Sequence, residues 1–320
     1  MALKNPEDYV CHLPVHQDGT CNGLQHYAAL GGDVMGAQQV NLLPSDRPQD
    51  VYAGVAKLVS KRLEEDAAAG NQLAQSLLGK ISRKIVKQTV MTSVYGVTYI
   101  GARSQIANAI KDQPNMQEFY SDDSKLFLAS SYITKHTFAS LKEMFLGARL
   151  IMDWLNQCAR VISKTGVPVM WMSPINVPVV QPYRKEANKD YVKTVVLEMR
   201  LRETHDLPIN VTRQRTAFPP NLIHSIDSSH MMFTALECEK AGIAFAAVHD
   251  SYWTHASDVS IMNRILREEF IKLHKQPLLE QIQESFAVSY PAIPASDYPI
   301  RPKRGNFDLD QVANSQYFFN

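Results

Sequence analysis

The sequence predicts an α+β fold in which long helices alternate with local hairpins, without the strand–helix–strand rhythm of a parallel sheet. Three observations carry this. Apolar residues recur at helical spacing over 51–69, 124–147 and 148–164. The texture changes at Gly166, where valine- and proline-rich segments alternate as strands do. Two short apolar runs, Ile243 to Val248 and Ser251 to His255, are separated only by His249-Asp250, which reads as a tight hairpin.

In chain order, residues 12–17 read as a short strand leading into Asp18-Gly19, and Asn22 to Leu30 as a helix. The loop 44–50 ends in a helix start, with Ser45 or Asp46 able to cap and Pro48 suited to the first turn. Val51, Val55, Leu58, Val59 and Leu63 then share one side of a helix. More helix follows within Leu73 to Tyr95, with Gly96 as its stop. The segment from Val167 to Met199 reads as one long hairpin with a charged tip at 184–190. Val259 to His274 reads as helix, and Pro291 to Pro302 as irregular.

A chain of 320 residues can bury a sizeable core. No apolar run approaches the roughly 20 residues of a membrane span. Cys11, Cys21, Cys158 and Cys238 lack any C-x-x-C spacing, which argues against a zinc ribbon or a disulfide framework. Net charge is +1, so the whole-chain balance points to no polyanion. Locally, however, Lys80, Arg83, Lys84, Lys87, Arg103 and Lys111 fall in a stretch free of acidic residues. That stretch is either a positive field for phosphates or a solvated helix face.

Three segments could carry chemistry. Asp18-Gly19 closes a strand, where a carboxylate can hold a hard divalent cation and a glycine lets its carbonyl approach. Arg83, Lys87, Met91 and Tyr95 recur every four residues, so two cations and an aromatic ring lie near one another, as a nucleotide requires. Asp250 sits at a hairpin tip, where rigid strands can present it to a distant partner. Each segment also has an ordinary structural reading: a capped turn, surface cations with Tyr95 in the core, and an Asp turn. His224 follows Pro219-Pro220, whereas His16, His26, His230 and His255 read as structural histidines.

Together the segments resemble the single-subunit, bacteriophage-type RNA polymerases of phage, mitochondria and plastids. His16 through Tyr27 is similar to that family's motif A, Arg83 through Gly96 to motif B, and His249-Asp250-Ser251 to motif C. Pro219 to Met232 resembles the stretch with the family's ribose-sensing histidine, and Tyr317-Phe318-Phe319-Asn320 its C-terminal end. Thr92 through Arg103 resembles the plant organellar branch.

The resemblance implies a right-hand polymerase. Residues 1–46 and 224–320 are expected to form the palm, and 47–223 the fingers, with a specificity hairpin over about 181–196. Asp18 and Asp250 are expected to hold two Mg²⁺ ions, with the Gly19 carbonyl in support. Lys87 and Arg83 are expected on the triphosphate, and Tyr95 and His224 at the ribose. The implied partners are template and promoter DNA, nascent RNA, ribonucleoside triphosphates and organellar transcription factors. The implied compartment is the mitochondrion, with the plastid as alternative. Motif A begins after only 17 residues, so the expected thumb, first palm segment and targeting peptide are absent and the chain reads as a C-terminal catalytic fragment.

Two residues depart from the family pattern: Gly32 stands where an arginine is usual, and Asn176 where a turn glycine is usual. Asn tolerates the left-handed conformation, so that turn is expected to survive. A family A DNA polymerase is the nearest rival, but it is expected to carry His-Asp-Glu in motif C, and here Ser251 follows Asp250. A His-Asp phosphohydrolase and a noncatalytic nucleic-acid-binding fragment are the others.

Overall fold

The computed structural model describes residues 7, 10–185, 190–193, 198–201 and 207–319. Among the described residues the first half contains β1 (Val15–Asp18), α1 (Asn22–Gly31), α2 (Val34–Gln39), α3 (Val51–Ala68), α4 (Gln72–Leu77), α5 (Arg83–Ser93), α6 (Tyr99–Lys111), α7 (Gln117–Tyr120), α8 (Asp123–Met144) and α9 (Leu146–Ser163). There follow β2 (Met170–Met172), β3 (Pro178–Val180), β4 (Asp190–Lys193), β5 (Glu198–Leu201), α10 (Val211–Lys240), β6 (Ala246–Val248), β7 (Ser251–Thr254), α11 (Val259–Lys275) and α12 (Leu278–Ser289). The fold is thus mostly helical with small antiparallel sheets, as an α+β reading requires.

One sheet joins the two ends of the sequence, in the order β1-β7-β6. Val15 faces Thr254 and Asp18 faces Ser251. Beneath it lies a core in which Tyr27, Phe218, Tyr252, Phe270 and Phe318 are fully buried. Phe319 bridges Gly19 and stacks on Tyr252 at 5.2 Å, so the C-terminal aromatics close the same sheet from below.

Local chemistry explains the element boundaries. The cap of α3 is Asp50, not Ser45 or Asp46: its Oδ1 accepts from the N–H groups of Tyr52 and Ala53 at 3.0 and 3.1 Å. Pro48 accordingly stays in the loop. The expected single long hairpin is replaced by two. β2 pairs with β3, and Asn176 turns between them with φ of 60°, so the asparagine does take the left-handed position. β4 pairs with β5, Asp190 opposite Leu201, so Asp190, expected in the charged tip, lies in a strand. Residues 186–189 and 194–197, including most of the expected charged tip, lie outside the described residues. The hairpin base is anchored by a buried reciprocal pair: Gln181 Nε2 donates to the Gln214 carbonyl and Gln214 Nε2 to the Gln181 carbonyl, both at 2.9 Å.

Gly32 ends α1 with φ of 62°. A Cβ there would meet the Gly305 carbonyl oxygen at 2.6 Å, and Gly305 N–H donates to Gly31 at 2.7 Å. A side chain at 32 is incompatible with this close crossing of backbones.

Helix α10 runs 30 residues with Pro219 and Pro220 inside it. Neither proline has an N–H for the carbonyl four residues earlier, so the Arg215 and Thr216 carbonyls are released. Gly96, with φ of 74°, packs against that opened turn: a Cβ on it would lie 3.1 Å from the Thr216 oxygen. This contact brings the end of α5 onto α10.

Candidate functional site

Asp18 and Asp250 meet at one edge of the β1-β7-β6 sheet. Asp18 is the last residue of β1 and lies opposite Ser251, the first residue of β7. Val248 pairs with Ser251, so His249 and Asp250 form a two-residue turn. His249 takes φ of 55°, in keeping with the left-handed conformation such turns demand. Asp250 is therefore held at a tight tip beside Asp18, and its carbonyl accepts from Asn22 Nδ2 at 3.3 Å.

The pair is electrostatically incomplete. Burial, then the negative charge of Asp250, then that of Asp227 push the Asp18 carboxyl above its ordinary value, against a backbone hydrogen bond from Gly19. A cation between the carboxylates removes that repulsion. The donor set suits a hard one: two carboxylates, the Gly19 carbonyl, and Asn22 Oδ1, a buried oxygen without a hydrogen-bond partner among the described residues. Gly19 itself has no room for a side chain, since a Cβ would lie 1.7 Å from Asn22 Oδ1.

A second group lies beside the first. Gly23 on α1 lets α5 approach closely: a Cβ at Gly23 would meet Val94 Cγ2 at 2.9 Å and Tyr95 Cε1 at 3.7 Å. The ring of Tyr95 stacks on His224, with centroids 4.6 Å apart and planes 8° from parallel. Helix α5 ends at Ser93, so Tyr95 stands in the turn beyond it, one step off the helical stripe that its spacing suggests. It is 38% exposed, which rules out a core role. Burial, with Cys21, Asp250 and Asp227 nearby, raises its hydroxyl above the ordinary tyrosine value, so the O–H stays protonated and able to donate.

The cations of α5 divide into two kinds. Arg83 Nε donates to Asp50 Oδ2 at 2.5 Å and its guanidinium lies 5.0 Å from the Tyr52 ring. Lys87 is exposed, 5.9 Å from the same ring, and has no ion-pair partner among the described residues. In the wider basic stretch Lys80 pairs with Glu118, and Arg103 lies over Phe127. Part of that stretch is thus neutralised, and Lys84, Lys87 and Lys111 are its exposed remainder.

Comparison with known proteins decides the family. The sequence model for "DNA-dependent RNA polymerase" matches residues 1–300. DNA-directed RNA polymerase 2A of Nicotiana tabacum is 51% identical over 99% of this chain and 94% of its own length. The chain belongs to the DNA-dependent RNA polymerase family. It is also 50% identical to the mitochondrial DNA-directed RNA polymerase 1 of Nicotiana sylvestris and to the chloroplastic RNA polymerase 3 of the same plant. The chain spans about a third of the length of those two relatives, 31% and 32%.

Within this polymerase-family chain, three residues near the site carried no individual signal in sequence. Asn22 joins the two carboxylate turns. Tyr52 sits between Arg83 and Lys87. Asp227 lies near enough to Asp18 and Tyr95 to raise both. Asp227 stands one helical turn after His224, and that i, i+3 relation was the one available clue. His16, read as structural, stacks on Trp253 at 4.1 Å.

Proposed function

We propose that this chain carries the nucleotidyl-transfer site of a DNA-templated RNA polymerase that makes RNA from ribonucleoside triphosphates. The observation that carries the reading is the convergence of Asp18 and Asp250, from opposite ends of the sequence, beside the Tyr95–His224 stack. The reaction joins a 3′-hydroxyl oxygen to an α-phosphorus and releases pyrophosphate. Two Mg²⁺ ions held by Asp18, Asp250 and the Gly19 carbonyl would supply charge neutralisation for the attacking and leaving oxygens. Lys87, exposed and unpaired among the described residues, is set to meet the triphosphate. Arg83 joins it by exchanging Asp50 for phosphate. The Tyr95 hydroxyl, presented by its stack on His224, lies ready to read the 2′-hydroxyl.

In this reading residues 1–46 and 224–320 form a palm and 47–223 the fingers, the second palm segment starting inside α10. The hairpin that begins near Gln181 is the promoter-facing element. DNA template, promoter, nascent RNA and organellar transcription factors are the partners. The names of the relatives support an organelle, with the mitochondrion first and the plastid as alternative. Among the described residues no helix is long and apolar enough to cross a membrane.

The test is extension of a primed DNA template by the purified chain with ribo- or deoxyribonucleoside triphosphates. Ribonucleotide incorporation that disappears in Asp250→Asn supports the proposal. Preference for deoxynucleotides would favour a family A-like DNA polymerase, and DNA binding without extension a noncatalytic fragment.

A further inference from the structure

Behind the site, three buried or half-buried side chains, one from each of three helices, form a hydrogen-bonded chain that the proposed chemistry leaves unused. His274 on α11 lies with Nδ1 2.9 Å from the Phe270 carbonyl oxygen. That oxygen only accepts, so Nδ1 carries the proton and donates. Burial, with His26 adding to it, holds His274 well below the usual imidazole range, so the ring is neutral and its Nε2 is an acceptor. His26 Nδ1 on α1 is 3.1 Å from that Nε2 and must therefore donate.

The other nitrogen of His26 then decides the matter. Nε2 lies 3.0 Å from Asp227 Oδ1 on α10. With Nδ1 already protonated, a neutral His26 would point a lone pair at a carboxylate oxygen. The contact closes only with one more proton between the two groups. Burial pushes Asp227 up, but the hydrogen bond and charge of His26, with His230 and His224, outweigh it and hold the carboxyl below its ordinary value. The Nε2–Oδ1 hydrogen bond therefore fixes Asp227 against α1.

A metal is the alternative occupant, because His26, Asp227 and His230 offer ligand atoms within 4.8 Å of one another. The nitrogens are already engaged by protein, however. His230 Nε2 donates to the Leu266 carbonyl at 2.8 Å, and its Nδ1 faces the Tyr252 hydroxyl at 3.4 Å.

We propose that Asp227 is a positioning residue for the Tyr95–His224 stack, held by its hydrogen bond to His26, whose other ring nitrogen is committed to His274. The relay ties α10 to α1 and α11. Helix α1 starts four residues after Asp18, and His224 stands one turn before Asp227. The relay thus sets the distance between the cation-facing carboxylates and the ribose-facing stack. Its consequence at the nucleotide rests on the proposed function; the hydrogen-bonded chain does not.

The test uses the 320-residue chain with ¹⁵N-labelled histidine, read by two-bond ¹H–¹⁵N spectra near pH 7.5 without added metal. The expected result is a neutral His274 protonated at Nδ1, a neutral His230 protonated at Nε2, and His26 signals that show both ring nitrogens hydrogen-bonded. A His26 ring with either nitrogen free of a hydrogen bond in the unsubstituted chain would overturn the relay. So would Zn²⁺ that binds and shifts His26 and His230 together. Asp227→Asn is expected to shift the His26 Nε2 and His224 resonances and to lower the melting midpoint by about 5 °C. On a primed template the same variant is expected to lose ribose discrimination several-fold while still incorporating nucleotides. Unchanged His224 resonances and unchanged discrimination in Asp227→Asn would overturn the positioning role. A His26 hydrogen-bonded at both nitrogens in a chain that neither binds nor incorporates ribonucleotides would defeat the proposed function and leave the relay standing.

Discussion

The ring of Tyr95 lies flat on the imidazole of His224, 4.6 Å away and 8° from parallel, although one follows α5 and the other rides on α10. In the proposed function stacking uses the ring and ribose discrimination the hydroxyl, so the two separate by mutation. Tyr95→Phe is expected to keep most incorporation and to lose about tenfold in ribose-over-deoxyribose preference, the scale of one hydrogen bond. Competition between the two nucleotide types on a primed template measures it. Full discrimination in the variant would remove Tyr95 from that role.

The approach of α1 to the Tyr95 turn depends on Gly23. A methyl group at 23 meets Val94 Cγ2 at 2.9 Å, so Gly23→Ala is expected to destabilise by about 1–3 kcal/mol. Shortening the neighbour should return part of that loss. In a double-mutant cycle, Val94→Ala is expected to cost less in the Gly23→Ala background than alone. Strict additivity in denaturant unfolding would contradict the contact.

The raised Asp18 carboxyl makes a prediction with a definite sign. A folded-state value above the unfolded one means that the folded chain holds this proton more tightly. Ionised Asp18 therefore weakens the metal-free fold; the penalty is absent below about pH 4 and complete above the raised folded value. Asp18→Asn is expected to raise the melting midpoint slightly at pH 7 in chelator and to make no such gain at pH 3.5. Mg²⁺ should stabilise the unsubstituted chain more than the variant. Thermal melts at both pH values, with and without Mg²⁺, check each part.

Two neutral histidines predict acid lability. Burial first, then His26, pushes His230 down to about 4, and burial holds His274 well below the usual range. Here the unfolded chain takes the protons first. Stability is expected to fall as pH drops from about 6.5 towards 4, by up to about 1.4 kcal/mol per pH unit per histidine. Urea unfolding at pH 7 and pH 5 gives the slope, and a midpoint that rises on acidification would contradict it.

Much of this was legible in the sequence for physical reasons. The apolar side chains of α3, α8 and α9 repeat at helical spacing because those helices each bury one face, and β6–β7 shows as two apolar runs around a two-residue turn. The carboxylates Asp18 and Asp250 were legible as strand-end residues, but their meeting was not, because only the β1–β7 pairing brings them together. Helix α10 was not legible around Pro219-Pro220, because prolines lack the N–H that a helix interior uses. Tertiary packing holds the helix through the prolines, and Gly96 uses the carbonyl they release. His26 and His230 were legible as structural histidines, whereas the connection of His26 to Asp227 and His274 depends on three helices meeting.

The central claim is that Asp18 and Asp250 form one cation site. It is tested most directly by electron paramagnetic resonance of Mn²⁺, a stand-in for Mg²⁺, bound to the purified chain in the presence of ATP. Asp18→Asn and Asp250→Asn are each expected to weaken Mn²⁺ binding on the order of tenfold or more, because each removes a charged oxygen ligand. Mn²⁺ affinity unchanged in both variants would contradict the account.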